Sequence, residues 1–139
     1  EYQSAKLAYD KNSEKPVFAF RSKLVGEQNF ALEVRYWHAN TWQQSTIQTQ
    51  SLGGSTPSFD IYVSEDTIGV YFASNNGIVF RATKPMVADT WSIHPIFEAL
   101  NARPRLSLLE HGSEHVLYIA QPSAEEAGTL SIIKLSATE

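Results

Sequence analysis

The chain has 139 residues, 42% of them hydrophobic and 19% charged, which is apolar material enough for one folded domain with a real core. Its formal charge of −4, with 11 basic residues scattered along it, excludes the clustered lysines and arginines of a nucleic-acid footprint. The absence of cysteine excludes disulfide frameworks, thiolate metal sites and thiol nucleophiles together, and no stretch approaches the ~18 consecutive apolar residues of a membrane-spanning helix.

Taken in order, the chain reads as short runs rich in Val, Ile, Phe, Tyr and Thr, broken by turn residues at intervals of about ten. The first unit, about 1–49, places strands at 5–9, 17–21, 30–37 and 42–49, with 11–15 as a solvated loop. Gly53-Gly54-Ser55 lacks the following lysine and helix of a phosphate loop and reads as a linker. The middle unit, 57–96, places strands at 59–63, 68–73, 78–83 and 91–96. Its turns fall at Ser64-Glu65-Asp66 and at Ser74-Asn75-Asn76-Gly77, where Asn and Gly accept the positive φ that a hairpin demands. The last unit, 104–139, repeats three strands, at 106–109, 116–121 and 129–135, and lacks the fourth. Residues 96–101 and 123–127 allow a single helical turn each, too short to be more than connectors.

These units are copies of one another. Asn40-Thr41-Trp42 matches Asp89-Thr90-Trp91 at a distance of 49 residues, and Val70-Tyr71-Phe72-Ala73 matches Leu117-Tyr118-Ile119-Ala120 at 47. A period in the forties with several strands per unit signals stacked β modules. The expected fold is therefore all-β, one repeat-built domain of about three four-stranded antiparallel units resembling β-propeller blades, with a β-trefoil as the alternative. A trefoil draws every strand from one chain, so the missing last strand counts against it. Three blades do not close a ring, because propellers typically have 4–8. A second copy of the chain, or a larger propeller of which this is a fragment, is expected to complete it.

The hairpins leading to Asn40-Thr41-Trp42 and to Ala88-Asp89-Thr90-Trp91 resemble the Asp-box repeats of sialidase-like propellers, retaining the Thr-Trp end and one Asx residue of the Ser-x-Asp-x-Gly-x-Thr-Trp box. In that family the tryptophan packs between blades. The period and the tryptophans also resemble the fungal fucose-binding lectin propellers, which read sugar with an Arg on the second strand and a Glu on the third. This chain has Gly69 at the first place and no Glu beside Phe80 at the second, so those residues do not carry over. Both resemblances imply a glycan-related role, and the expected setting is secreted or periplasmic.

Catalytic chemistry finds little to hold. A sialidase site takes three arginines, a tyrosine nucleophile backed by glutamate and an acid; the arginines here are Arg21, Arg35, Arg81, Arg103 and Arg105, with no Arg-Ile-Pro signature. Asp60 is the first acid to inspect on an inner strand. Glu110-His111-Gly112-Ser113-Glu114-His115 has the spacing of metal ligands, but Gly112 and Ser113 favour a solvated turn over the helix that would aim both rings one way. His38 and His94 read as packing or surface residues, and no Gly-x-Ser-x-Gly elbow is present.

The binding candidates are Trp37, Tyr36, Arg35 and Arg81: aromatic rings able to stack on a sugar or grip a protein, with cations on the third strands beside them. The expected function is a non-enzymatic binding module that recognises a glycan or a protein partner. The alternative is part of a sialidase-like glycoside hydrolase. No cofactor, metal, nucleic acid or membrane is expected, and a homo-oligomer is.

Overall fold

β-Branched and aromatic residues alternate with polar ones along most of this chain, and such runs gain stability only by pairing edge to edge and burying one face. The computed structural model describes residues 2–22, 31–48, 58–99, 104–111, 114–123 and 125–136. The linker at 53–55, Arg103 and the turn residues Gly112 and Ser113 lie outside them.

Eleven strands form three antiparallel sheets of four, four and three strands, each an up-and-down meander. The first sheet holds β1 (Tyr2–Asp10), β2 (Lys15–Ser22), β3 (Ala31–His38) and β4 (Thr41–Ile47). The middle sheet holds β5 (Phe59–Ser64), β6 (Thr67–Ala73), β7 (Ile78–Pro85) and β8 (Ser92–Glu98). The third holds β9 (Arg105–His111), β10 (Glu114–Pro122) and β11 (Leu130–Ser136). Every expected strand is present, and among the described residues the last sheet has no fourth strand.

Turn chemistry sets these boundaries. Ala39 and Asn40, between His38 and Thr41, both take positive φ, at 53° and 59°, and Glu65 and Gly77 do the same in the turns after β5 and β6. Among the described residues there is no helix. The turn expected at 96–101 is strand as far as Glu98, because Phe97 pairs with Val79 on β7 and both Ile96 and Phe97 pack against the core that the middle sheet shares with the third. Ala99 then donates its N–H to the Gly77 carbonyl at 2.9 Å. At the other expected helical turn the Ser123 hydroxyl accepts from the amides of Glu125 and Glu126, and Glu125 to Gly128 are bends and turns.

The first strands of the three units lie side by side, β1 against β5 and β5 against β9. Polar side chains of Ser58, just ahead of β5, and of Asp60 on it stitch the second of these contacts. The Ser58 hydroxyl accepts from the Leu106 amide and the Asp60 carboxylate from the Leu108 amide, both at 2.9 Å. Those amides face away from β10, on the open edge of β9, where they would otherwise have no partner. Asp60, the acid first suspected of chemistry, is committed to this link, its second oxygen accepting from the Ile61 amide at 2.9 Å.

Two apolar cores lie between the sheets. Val17, Leu32, Val34 and Ile47 of the first sheet meet Ile61, Val70, Phe72 and Phe80 of the middle one. The opposite face of the middle sheet, with Tyr71, Ala73 and Val79, meets Leu106, Leu117 and Ile119 of the third. The middle sheet is thus covered on both faces and β6 is buried from Ile68 to Ala73, the pattern of a strand with neighbours on each side.

Candidate functional site

The first hairpin of each unit turns at the same end of the stack, because all three units run through their strands in the same order. The turn after β1, with Lys11 and Asn12, the turn after β5, with Ser64 and Glu65, and the strand ends flanking the turn after β9, with Glu110 and Glu114, surround a cleft of about 400 Å³. Tyr9, Val63 and His115 line it further down. The buried carboxylate of Asp10 shapes the first turn, accepting from the Asn12 amide at 3.0 Å and the Ser13 hydroxyl at 2.7 Å. Asn12 in turn donates through Nδ2 to the Glu65 carbonyl at 3.4 Å, joining the first tip to the second.

Three carboxylates against one lysine make the rim acidic. Among the described residues no three His, Cys, Asp or Glu side chains come together to hold a metal ion. Glu110 and Glu114 are exposed at their hairpin, as a solvated turn requires, but His115 is not. Its ring stacks on Tyr62 with centroids 4.0 Å apart, and its Nε2 lies 3.5 Å from the Tyr71 hydroxyl.

This floor is a small polar network set in apolar surroundings. Burial pushes the Tyr71 hydroxyl up to about 12, with Tyr62 adding to the rise and Arg81, which hydrogen-bonds to it, opposing. Burial also lowers the His115 pKa; Glu110 pulls it back up and Arg81 presses it further down. At neutral pH Tyr71 therefore keeps its proton and His115 is an uncharged imidazole. Arg81 can only donate, so the Tyr71 oxygen accepts from it and the hydroxyl proton is placed to reach His115 Nε2.

A histidine held neutral by burial favours the fold at neutral pH. Its contribution is fully present above the ordinary value of 6.5 and is lost as pH falls through the lowered folded-state value. The melting temperature of the protein is expected to fall over that mildly acidic window, and the His115→Gln variant is expected to show a flatter profile there. Thermal melts of both proteins across the window measure the difference.

Gly69 makes the network possible. It sits opposite Tyr62 in the β5–β6 register, and a Cβ at this position would fall within the volume of the Tyr62 ring. Tyr62 lies flat across β6 because nothing projects there, and only then does it reach His115. Gly69→Val is expected to cost about 1–3 kcal/mol by overpacking. With the Tyr62 ring displaced, the His115 pKa should return toward its ordinary value, which an NMR titration of the imidazole reads directly.

The four binding candidates lie in three places. Trp37 and Arg35 are on the outward face of the first sheet, where Trp37 meets Trp42 edge to face at 5.5 Å and carries the Lys15 Nζ at 4.7 Å from its ring centre. Tyr36 points the other way, 5% exposed, and its hydroxyl accepts from the buried Lys84 Nζ at 2.5 Å. Arg81 alone joins the network behind the cleft, through its hydrogen bond to Tyr71. Reasoning from the sequence passed over Tyr62, Tyr71, Glu65 and Lys11; the signal that points to them is the phase of the repeat, which sends the same loop of every unit to the same end.

The sequence matches no protein-family model, and no curated protein matches it either.

Proposed function

We propose that this chain is a binding module of β-propeller type, in which the three sheets are blades and the cleft between their first hairpins receives a glycan. The observation that carries this reading is the make-up of the cleft: hydrogen-bonding groups from three separate tips converge beside Tyr9, an aromatic ring 59% exposed. Sugars are held by that combination of carboxylate and amide partners for their hydroxyls with a ring for their apolar face. The acidic rim favours neutral or amino sugars and disfavours anionic ones.

The alternative of a sialidase-like hydrolase draws on Arg21, whose pKa is lowered by burial and then by the nearby Arg105. Two arginines so close suit a carboxylate ligand. Against it stands Tyr71, held firmly as an O–H where that chemistry needs a nucleophile.

Calorimetric titration with neutral and amino oligosaccharides tests the reading. Binding is expected, weakened about tenfold or more by Tyr9→Ala and by Glu114→Gln. Wild-type protein that binds no such sugar overturns the glycan assignment and leaves a protein as occupant of the cleft. Turnover of a fluorogenic sialoside would establish the hydrolase instead.

A further inference from the structure

Seven large hydrophobic side chains stand exposed among the described residues, and six of them lie on the two faces that point away from the middle sheet. Cross-strand partners share a face, so the register makes the assignment. Leu7 pairs with Phe18, Phe18 with Arg35 and Trp37 with Trp42, which places Leu7, Tyr9 and Trp42 on the outward face of the first sheet. In the third sheet Leu109 pairs with Val116, Ala120 with Ile132 and Pro122 with Leu130, opposite in sense to the buried Leu117 and Ile119. The exposures run from 39% at Trp42 to 70% at Leu130.

Each internal contact joins two kinds of face. The face a sheet turns toward the next unit meets the face that unit turns back, first sheet to middle and middle to third. The two open faces are one of each kind: the first sheet's backward face and the third sheet's forward face. The repeat also shows what a backward face expects. Trp91, the counterpart of Trp42, reaches back to the preceding sheet, packs in the core between them and donates its indole N–H to Ser45 on β4 at 2.9 Å. Trp42 has the same place in its unit and meets no preceding sheet, resting on Trp37 and Phe18.

We infer that a second copy of this chain covers both faces, leaving Tyr9 open at the cleft end of the first, with the third sheet of each copy packing on the first sheet of the other about a two-fold axis. The contact is head to tail and occurs twice, and it closes a ring of six sheets, within the range of stable propellers. Heterologous contacts that close in this way leave no apolar face open, whereas a single chain leaves two. The inference is independent of the ligand, so a failure to bind sugar does not touch it.

Light scattering during size-exclusion chromatography tests it at micromolar concentration. The expected mass is about 31 kDa, twice the 15.5 kDa of one chain. A monomer, or an open series of larger species, overturns the two-fold ring. Leu7→Glu and Ile132→Glu alter exposed positions on opposite faces, so each should leave the circular dichroism of the fold intact and yield monomer. An equal mixture of the two variants should regain a dimer, held by the one contact in which both faces are unaltered. Variants that stay dimeric alone would remove these faces from the interface. A mixture that stays monomeric would overturn the head-to-tail arrangement.

Discussion

Tyr36→Phe is expected to cost about 3 kcal/mol, and adding Lys84→Met to it is expected to return most of that loss. The reason is a cation in the core between the first two sheets. Lys84 is 2% exposed, projects from β7 on the same face as Phe80 and Ala82, and has the Tyr36 hydroxyl as its close acceptor. The Pro85 carbonyl stands at 3.5 Å, at the edge of a hydrogen bond, and the Tyr36 ring centre at 4.5 Å. Removing the hydroxyl leaves an ammonium in an apolar seam with one long contact, and an ion stripped of its partner is far costlier than the pair is worth. Lys84→Met alone orphans a hydroxyl instead, a smaller penalty of about 1–2 kcal/mol. The double variant buries only apolar groups of similar volume. Urea melts of the four proteins give the coupling energy, expected to be about 3 kcal/mol. Additive single effects would mean that water reaches Lys84.

Much of the fold could be read in advance because strand and turn signals are local. Asn75-Asn76-Gly77 and Ala39-Asn40 end strands for reasons of backbone sterics that hold in any context, and the repeat fixed how many strands each unit has, including the absent one. What sequence could not show is which residues meet across sheets. Lys84, between Thr83 and Pro85, looks like a solvated cation; its burial depends on Tyr36, 48 positions away. His115 reads as a solvent residue because Gly112 and Ser113 favour a turn; β9 and β10 do pair as a hairpin, but the ring folds back onto Tyr62 from another unit. Tyr36 and Trp37 are neighbours in sequence and face opposite ways, so grouping them as one aromatic site ran against the pleat of the strand. Asp60 shows the same limit: its partner amide, Leu108, belongs to a different sheet.

Phe72→Ala is expected to be the most damaging single truncation, at about 3–5 kcal/mol. Phe72 is among the largest side chains with no exposure, near the end of β6 in the only sheet covered on both faces among those described. Its ring stacks on Phe80 at 5.4 Å, pairs across the sheet with Phe59 as well, and faces the first sheet's core. Truncation loses the transfer energy of the ring, the stacked pair, and the dispersion contacts that a void does not replace. The site cannot collapse easily, because the β5 side is tied elsewhere: the amide of the next residue, Ala73, donates to the Ser58 carbonyl at 3.0 Å, and the Ser58 hydroxyl holds the Leu106 amide of β9. Loosening β6 therefore slackens the link from the middle sheet to the third as well as the core with the first. Phe72→Leu keeps most of the volume and should cost about 1–1.5 kcal/mol. Equilibrium denaturation distinguishes the cases. If Phe72→Ala costs no more than Phe72→Leu, the sheets are not held by this core, and their order must come from the edge links between β1, β5 and β9.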